Sequence, residues 1–184
     1  MKKNLRIKSD EACLVLIDYQ EKLMPVMDNE DFLTDRTVRM VKGANEFELP
    51  IILTQQYTRG LGETVEPISA ELGNLPYIDK KTFSAYKNEE FKKKLAEAKR
   101  KTVLLCGIET HICVMQTALD MMEAGYNVVL IEDACSSRSD RDSQVAVMRL
   151  AEAGVVVTTV ESALMEMAGG ADSDHFRAIS KIIK

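Results

Sequence analysis

Tryptophan is absent from this 184-residue chain, none of its four cysteines forms a C-x-x-C pair, and no apolar run approaches membrane-spanning length. Each absence closes a class of function. A bilayer-crossing helix needs about 20 consecutive apolar residues, so no membrane segment is expected. Cys13, Cys106, Cys113 and Cys135 lie far apart, two of them in apolar strand-like runs. That usage fits a reducing cytoplasm and neither a zinc knuckle nor a disulfide framework. Lysine and arginine number 24 against 29 aspartate and glutamate, a net charge of −5. Without clustered basic residues, a nucleic-acid partner is not expected. The small basic cluster Lys2, Lys3, Arg6 and Lys8 is followed only by the short apolar run Ala12–Ile17, which stops at Asp18 and does not make a signal peptide. No G-x-G-x-x-G follows that run, so a dinucleotide is not implied either.

What remains is a chain of near-average apolar content, 46% hydrophobic, with no break in composition. It reads as a single domain over residues 1–184, large enough to bury about 70% of its unfolded surface. Apolar runs rich in branched residues recur at 12–17, 50–54, 77–79, 103–106, 127–131 and 155–158. Such runs mark strands buried on both faces. Between them, apolar residues at helical spacing predict helices over 33–47, about 88–100, 114–122 and 141–153, and one from about Ser162, with a charged tail compatible with another. Gly154 suits the position after a helix end. Residues 63–76, with Pro67, Gly73 and Pro76, predict a long irregular connection with at most one helical turn. Strands alternating with helices give a three-layer α/β/α domain around a six-stranded parallel sheet with right-handed crossovers.

The stretch 102–120 organises the chemistry. An apolar run ends at Gly107, and a helical stripe of Val114, Ala118, Met121 and Met122 begins just after Cys113. A thiol in that turn faces unpaired N–H groups and the positive helix end, which favour thiolate. Lowering its pKa from about 8.5 by roughly 2 units would turn a few per cent thiolate at neutral pH into a majority. The competing interpretation is a small buried core residue. Asp18 closes the first strand at the sheet edge where open α/β folds bind ligands; alternatively it caps the following segment. Lys80 and Lys81 close the third strand on the same side, or simply form a solvated face. An acid, an amine and a thiol from three strand ends fit a nucleophile, a base and an electrostatic partner.

Three segments together, Leu16-Ile-Asp18-Tyr-Gln20, Lys80-x-x-Phe-Ser-Ala-Tyr86 and Gly107-Ile-Glu-Thr-His-Ile-Cys113-Val114, resemble the isochorismatase-like cysteine hydrolases. That superfamily includes nicotinamidases and carbamoyl-amide hydrolases, and the likeness spans about residues 10–170. It implies the isochorismatase-like hydrolase fold and a Cys-Asp-Lys triad of Cys113, Asp18 and Lys80. Lys80 is preferred over Lys81 because the family lysine lies four residues before the serine of the S-A-aromatic motif, here Ser84. It also implies a cis peptide between Ile108 and Glu109, with the Glu109 and Cys113 N–H groups serving as the oxyanion hole. Removing one such donor typically costs about 3 kcal/mol in the transition state.

Departures from the family narrow the expectation. Nicotinamidases carry an Asp-x-His metal pattern after the second strand, where this chain has Gln55-Gln56-Tyr57. The two histidines, His111 and His175, lie in unrelated regions, so no metal or other cofactor is expected. True isochorismatases lack the cysteine and hydrolyse a vinyl ether; Cys113 instead favours attack on an amide, imide or ureide carbonyl through a thioester. The segment Thr54–Gly62 with Thr64 and Val65 is most similar to the isochorismatase-domain-containing branch. Tyr57 and Leu61 are candidate pocket walls, and Gln20 a candidate for orienting Asp18 or a ligand. His111 is either a second titrating group or a surface histidine. The expected partners are a small-molecule substrate and further copies of the chain, as a dimer or higher homo-oligomer. Rival functions are a redox role pairing Cys113 with Cys106, an aspartyl phosphatase built on Asp18, and a non-catalytic scaffold.

Overall fold

Branched apolar side chains on both faces of the central strands force helices onto both sides of the sheet, and that is the architecture of the computed structural model, which describes residues 6–184. Lys2 and Lys3 of the basic cluster lie outside the described residues. The strands are β1 (Ala12–Ile17), β2 (Ile51–Gln56), β3 (Tyr77–Lys80), β4 (Thr102–Ile108), β5 (Asn127–Ser136) and β6 (Val156–Thr158). They pair in the order β3-β2-β1-β4-β5-β6, all parallel. The helices are α1 (Glu30–Glu46), α2 (Thr58–Leu61), α3 (Glu66–Leu72), α4 (Glu89–Glu97), α5 (Met115–Glu123), α6 (Asp140–Ala153), α7 (Val160–Ala168) and α8 (Phe176–Ile182). No helix among the described residues is long and apolar enough to cross a membrane.

Strand alternation divides the interior into two cores. Leu14 and Leu16 of β1 join Leu33, Met40 and Ala44 of α1, Ala163 and Leu164 of α7, and Ile179 of α8. Cys13, Val15 and Ile17 face the other way, onto Phe91 and Leu95 of α4, Ala118 and Met121 of α5, and Leu150 of α6. All six β1 residues are buried, as expected for the central strand of a doubly covered sheet.

Three expectations change. Residues 63–76 contain α3, because Pro67 is pre-set for a first helical turn and Ile68 is drawn fully into the core. A single buried residue in seven leaves no periodicity to detect. Strand β5 continues to Ser136 instead of ending at Ile131, because its register against β4 shifts between Leu105 and Gly107. That irregularity releases Asp133, whose Oδ1 accepts the Val160 N–H at 2.8 Å and starts α7. Finally, α1 begins at Glu30, a turn earlier than the apolar stripe, with two acids in its first turn where the helix dipole favours them.

Backbones approach tightly where β1 and β4 leave the sheet. Gly107 pairs with Ile17 and has φ 149°, and a Cβ there would lie 2.4 Å from the Ile17 Cβ and 2.6 Å from its carbonyl oxygen. Neither partner is a flexible side-chain tip. Gly107→Ala is therefore expected to cost about 2 kcal/mol and lower the melting temperature by roughly 4–8 °C. Thermal unfolding of the variant checks this, and an unchanged midpoint would refute the tight approach.

Candidate active site

Asp18 follows β1 with φ 58°, a left-handed conformation that aspartate tolerates better than most residues. The chain thereby turns at the strand end, and the fully buried carboxylate meets two donors. The Thr54 hydroxyl donates to Oδ1 at 2.7 Å, and the Lys80 ammonium donates to Oδ2 at 2.6 Å. Lys80 comes from β3, two strands away from β1, a gap of roughly 10 Å at ordinary strand spacing. Only a long side chain running beneath the end of β2 closes it. The burial pattern of β3 alternates, with Ile78 and Lys80 inward, so Lys81 is exposed and contributes only its carbonyl, to Gln56 Nε2 at 3.0 Å.

The Lys80 ammonium is fully subscribed. Besides Asp18 it faces Gln56 Oε1 at 2.7 Å and the carbonyls of Phe83 and Thr82 at 3.2 and 3.3 Å. Its three N–H bonds are spent on these four acceptors. Lys80 thus acts on its surroundings chiefly as a fixed charge.

Cys113 sits in a π-helical turn, Thr110–Val114, between β4 and α5. Its side chain is 7% exposed and lies within electrostatic reach of Asp18 and Lys80. Burial, and then the Asp18 charge, push the thiol up to about 12, with Lys80 opposing. This reverses the lowered value expected from the sequence. The helix proper starts at Met115, beyond the sulfur, and desolvation beside a carboxylate outweighs the field of the turn. Burial likewise raises the Asp18 carboxyl, against the pull of Lys80, Thr54 and Cys113.

The turn itself is pinned from two sides. Thr117 Oγ1 donates to the Cys113 carbonyl at 2.6 Å and accepts the Ala85 N–H at 2.9 Å, tying the turn to the loop after β3. On the other side the Glu109 carboxylate takes the Arg138 side chain at 3.0 Å and its backbone N–H at 3.0 Å. The Ile108–Glu109 peptide is cis. His111 Nδ1 lies 2.9 Å from Ser137 Oγ, so this histidine is half-buried and engaged with the β5 exit.

The candidate substrate contacts divide. Gln20 is fully buried and its amide is committed: it donates to Gln56 O at 3.1 Å and Gly62 O at 2.7 Å, and accepts the Gln56 N–H at 2.6 Å. Its side chain therefore holds the β2 exit and leaves no N–H for a ligand, a correction to the expected ligand contact. Tyr57 follows β2 directly, 48% exposed, with its ring over Gly60. Leu61 is half-buried in α2 on the same loop. Cys106 packs in the α1 core and Cys113 in the α5 core, on opposite faces of the sheet, so the two sulfurs do not pair. Among the described residues no group of three His, Cys, Asp or Glu is placed to hold a metal ion.

Sequence reasoning missed Thr54, Gln56, Thr117 and Arg138. Thr54 and Gln56 carried a usable signal, being two polar residues on one face at the end of an apolar strand. Thr117 and Arg138 carried none, since their partners are fixed by tertiary packing.

The isochorismatase domain model matches residues 12–162. Isochorismatase domain-containing protein 2 of Xenopus laevis is 36% identical over 172 residues, covering 94% of this chain and 83% of that protein. The solved structure of MAR1 ribonuclease from Caenorhabditis elegans superposes with a TM-score of 0.91 at 35% identity, covering 97% of this chain and 92% of the other. The YcaC gene product of Escherichia coli, described as an octameric hydrolase of unknown specificity, gives a TM-score of 0.93 at 24% identity, covering 100% and 91%.

Proposed function

The chain belongs to the isochorismatase family, a hydrolase-like domain, and from that premise we propose that it is a cysteine hydrolase cleaving the C–N bond of a small amide, imide or ureide. The observation that carries this reading is a thiol beside a buried carboxylate that is itself ion-paired, at 2.6 Å, with a buried ammonium.

Burial and the neighbouring Asp18 charge favour the thiol over a preformed thiolate. Sγ instead attacks the substrate carbonyl carbon as its proton passes to the Asp18 carboxylate. The carbonyl π electrons move onto oxygen, and the Glu109 and Cys113 N–H groups receive that oxyanion. On collapse the C–N bond breaks and Asp18 returns its proton to the leaving nitrogen, leaving a thioester on Cys113. Water then gives a proton to Asp18 and its oxygen to the acyl carbon. As the C–S bond breaks, Asp18 passes that proton to sulfur, which releases the acid and restores both the thiol and the carboxylate. Lys80 stabilises the Asp18 carboxylate throughout as its ion-pair partner. Tyr57 and Leu61 form a wall of the substrate site. The exposed Val145 and Met148 on α6 support self-association of the chain, and four free cysteines support a reducing, cytoplasmic location.

The test is trapping. Incubation with a panel of small amides, imides and ureides is expected to add an acyl mass to the peptide containing Cys113. The rate should fall as pH drops through the raised Asp18 range, because only the carboxylate accepts the thiol proton; the acid limb should therefore lie above the ordinary aspartate value of about 4. A folded protein that gains no adduct and turns over no member of the panel would defeat the reading.

A further inference from the structure

The residue that decides how Lys80 spends its charge is on β2. Gln56 Oε1 is the second-shortest contact of the ammonium, at 2.7 Å against 2.6 Å for Asp18. Its amide cannot flip without loss, because Nε2 donates to the Lys81 carbonyl at 3.0 Å. Its backbone cannot drift either, since the buried Gln20 amide binds both its N–H and its carbonyl. A chain of directed bonds thus runs from Gln20 through Gln56 to Lys80 and ends on Asp18.

An amide at this place supplies the acceptor that an ammonium needs and adds no charge. A carboxylate would supply the same acceptor but place a second anion on the cation that Asp18 depends on. The titratable groups facing the ammonium are Asp18 from β1 and Cys113 from the turn before α5. The neighbouring Asp79 is turned outward to Thr58, and Lys81 is exposed.

We propose that Gln56 is a positioning residue, held by Gln20, which fixes the Lys80 ammonium against Asp18 while leaving its whole charge to that carboxylate. This rests on the reading of Cys113 as the nucleophile and specifies how its base is tuned. It also accounts for the full burial of Gln20, which has no ligand to touch.

The test uses iodoacetamide, which reports sulfur reactivity at Cys113 by peptide mass and requires no hydrolysis. In Gln56→Glu the added anion is expected to move the acid limb of the alkylation profile up by about one pH unit, a roughly ten-fold slower reaction on that limb. In Gln56→Met, which keeps length and neutrality without the amide acceptor, the limb should stay in place while the plateau rate falls several-fold. Thermal unfolding establishes that each variant is folded. A Gln56→Glu profile coinciding with that of the unsubstituted protein overturns the proposal. If that variant fails to fold, a Gln56→Met protein as reactive as the parent at every pH overturns it equally. Failure of the parent to hydrolyse any amide counts against the hydrolase reading, whereas an unmoved limb counts only against the role of Gln56.

Discussion

Cys113→Ala is expected to lower turnover of any acylating substrate by roughly 10⁴-fold or more and to eliminate the acyl adduct, with the fold intact. The stability half of this expectation comes from size and surroundings. The side chain loses one heavy atom at a site with 7% exposure, in contact with polar groups that keep their other bonds. The cost should stay within about 1 kcal/mol, or a shift of roughly 2–4 °C in melting temperature. The activity half comes from chemistry, since no other group can form the thioester. Cys113→Ser separates polarity from nucleophilicity: its hydroxyl can still bond Asp18, yet it is a far weaker nucleophile, and it should be nearly as inactive. Intact mass and turnover measured side by side decide the matter, and an alanine protein retaining parental rates would remove the thioester mechanism.

How far the sequence reached depends on which forces act locally. The run 12–17 showed a doubly buried strand because every residue in it is apolar, and Asp18 stood out as the first polar residue after it. The six-stranded parallel sheet needed only the alternation of strands and helices, whereas the strand order is set by tertiary packing. The choice between Lys80 and Lys81 was also latent in the chain, because Ile78 and Lys80 share a strand face and Ile78 must point inward. The role of Gln20 was hidden, since its partners Gln56 and Gly62 are brought to it by the return of β2 and its loop. The thiol value was misjudged for a related reason. Local backbone suggested a helix terminus, whereas burial and a carboxylate from ninety-five positions earlier set the balance. Backbone propensity is written locally; electrostatics at a strand-end site is written by whichever segments converge there.

Lys80→Met should have the largest effect on stability. Both members of the Asp18–Lys80 pair are fully buried, and the pair survives in that environment only because each charge cancels the other's desolvation. Removing the cation strands a carboxylate with only Thr54 and the thiol beside it, at a cost of about 3–5 kcal/mol, or roughly 6–20 °C in melting temperature. The sign of the pH dependence follows. Without Lys80 the folded-state Asp18 binds its proton still more strongly than the unfolded chain does, so the penalty grows as pH rises above the unfolded value and is relieved as pH falls. The variant should therefore lie closer to the parent at pH 5 than at pH 8. Combining it with Asp18→Asn removes both charges and should recover most of the loss at pH 8, because an apolar and a neutral polar side chain of similar size carry no ionic desolvation. Neither variant should turn over substrate, since both lack the base's electrostatic partner and the double variant lacks the base as well. Melting curves at the two pH values make the comparison. A Lys80→Met protein as stable as the parent at pH 8 would mean that Asp18 is not held as a carboxylate by that lysine, and the proposed proton acceptor for Cys113 would be gone.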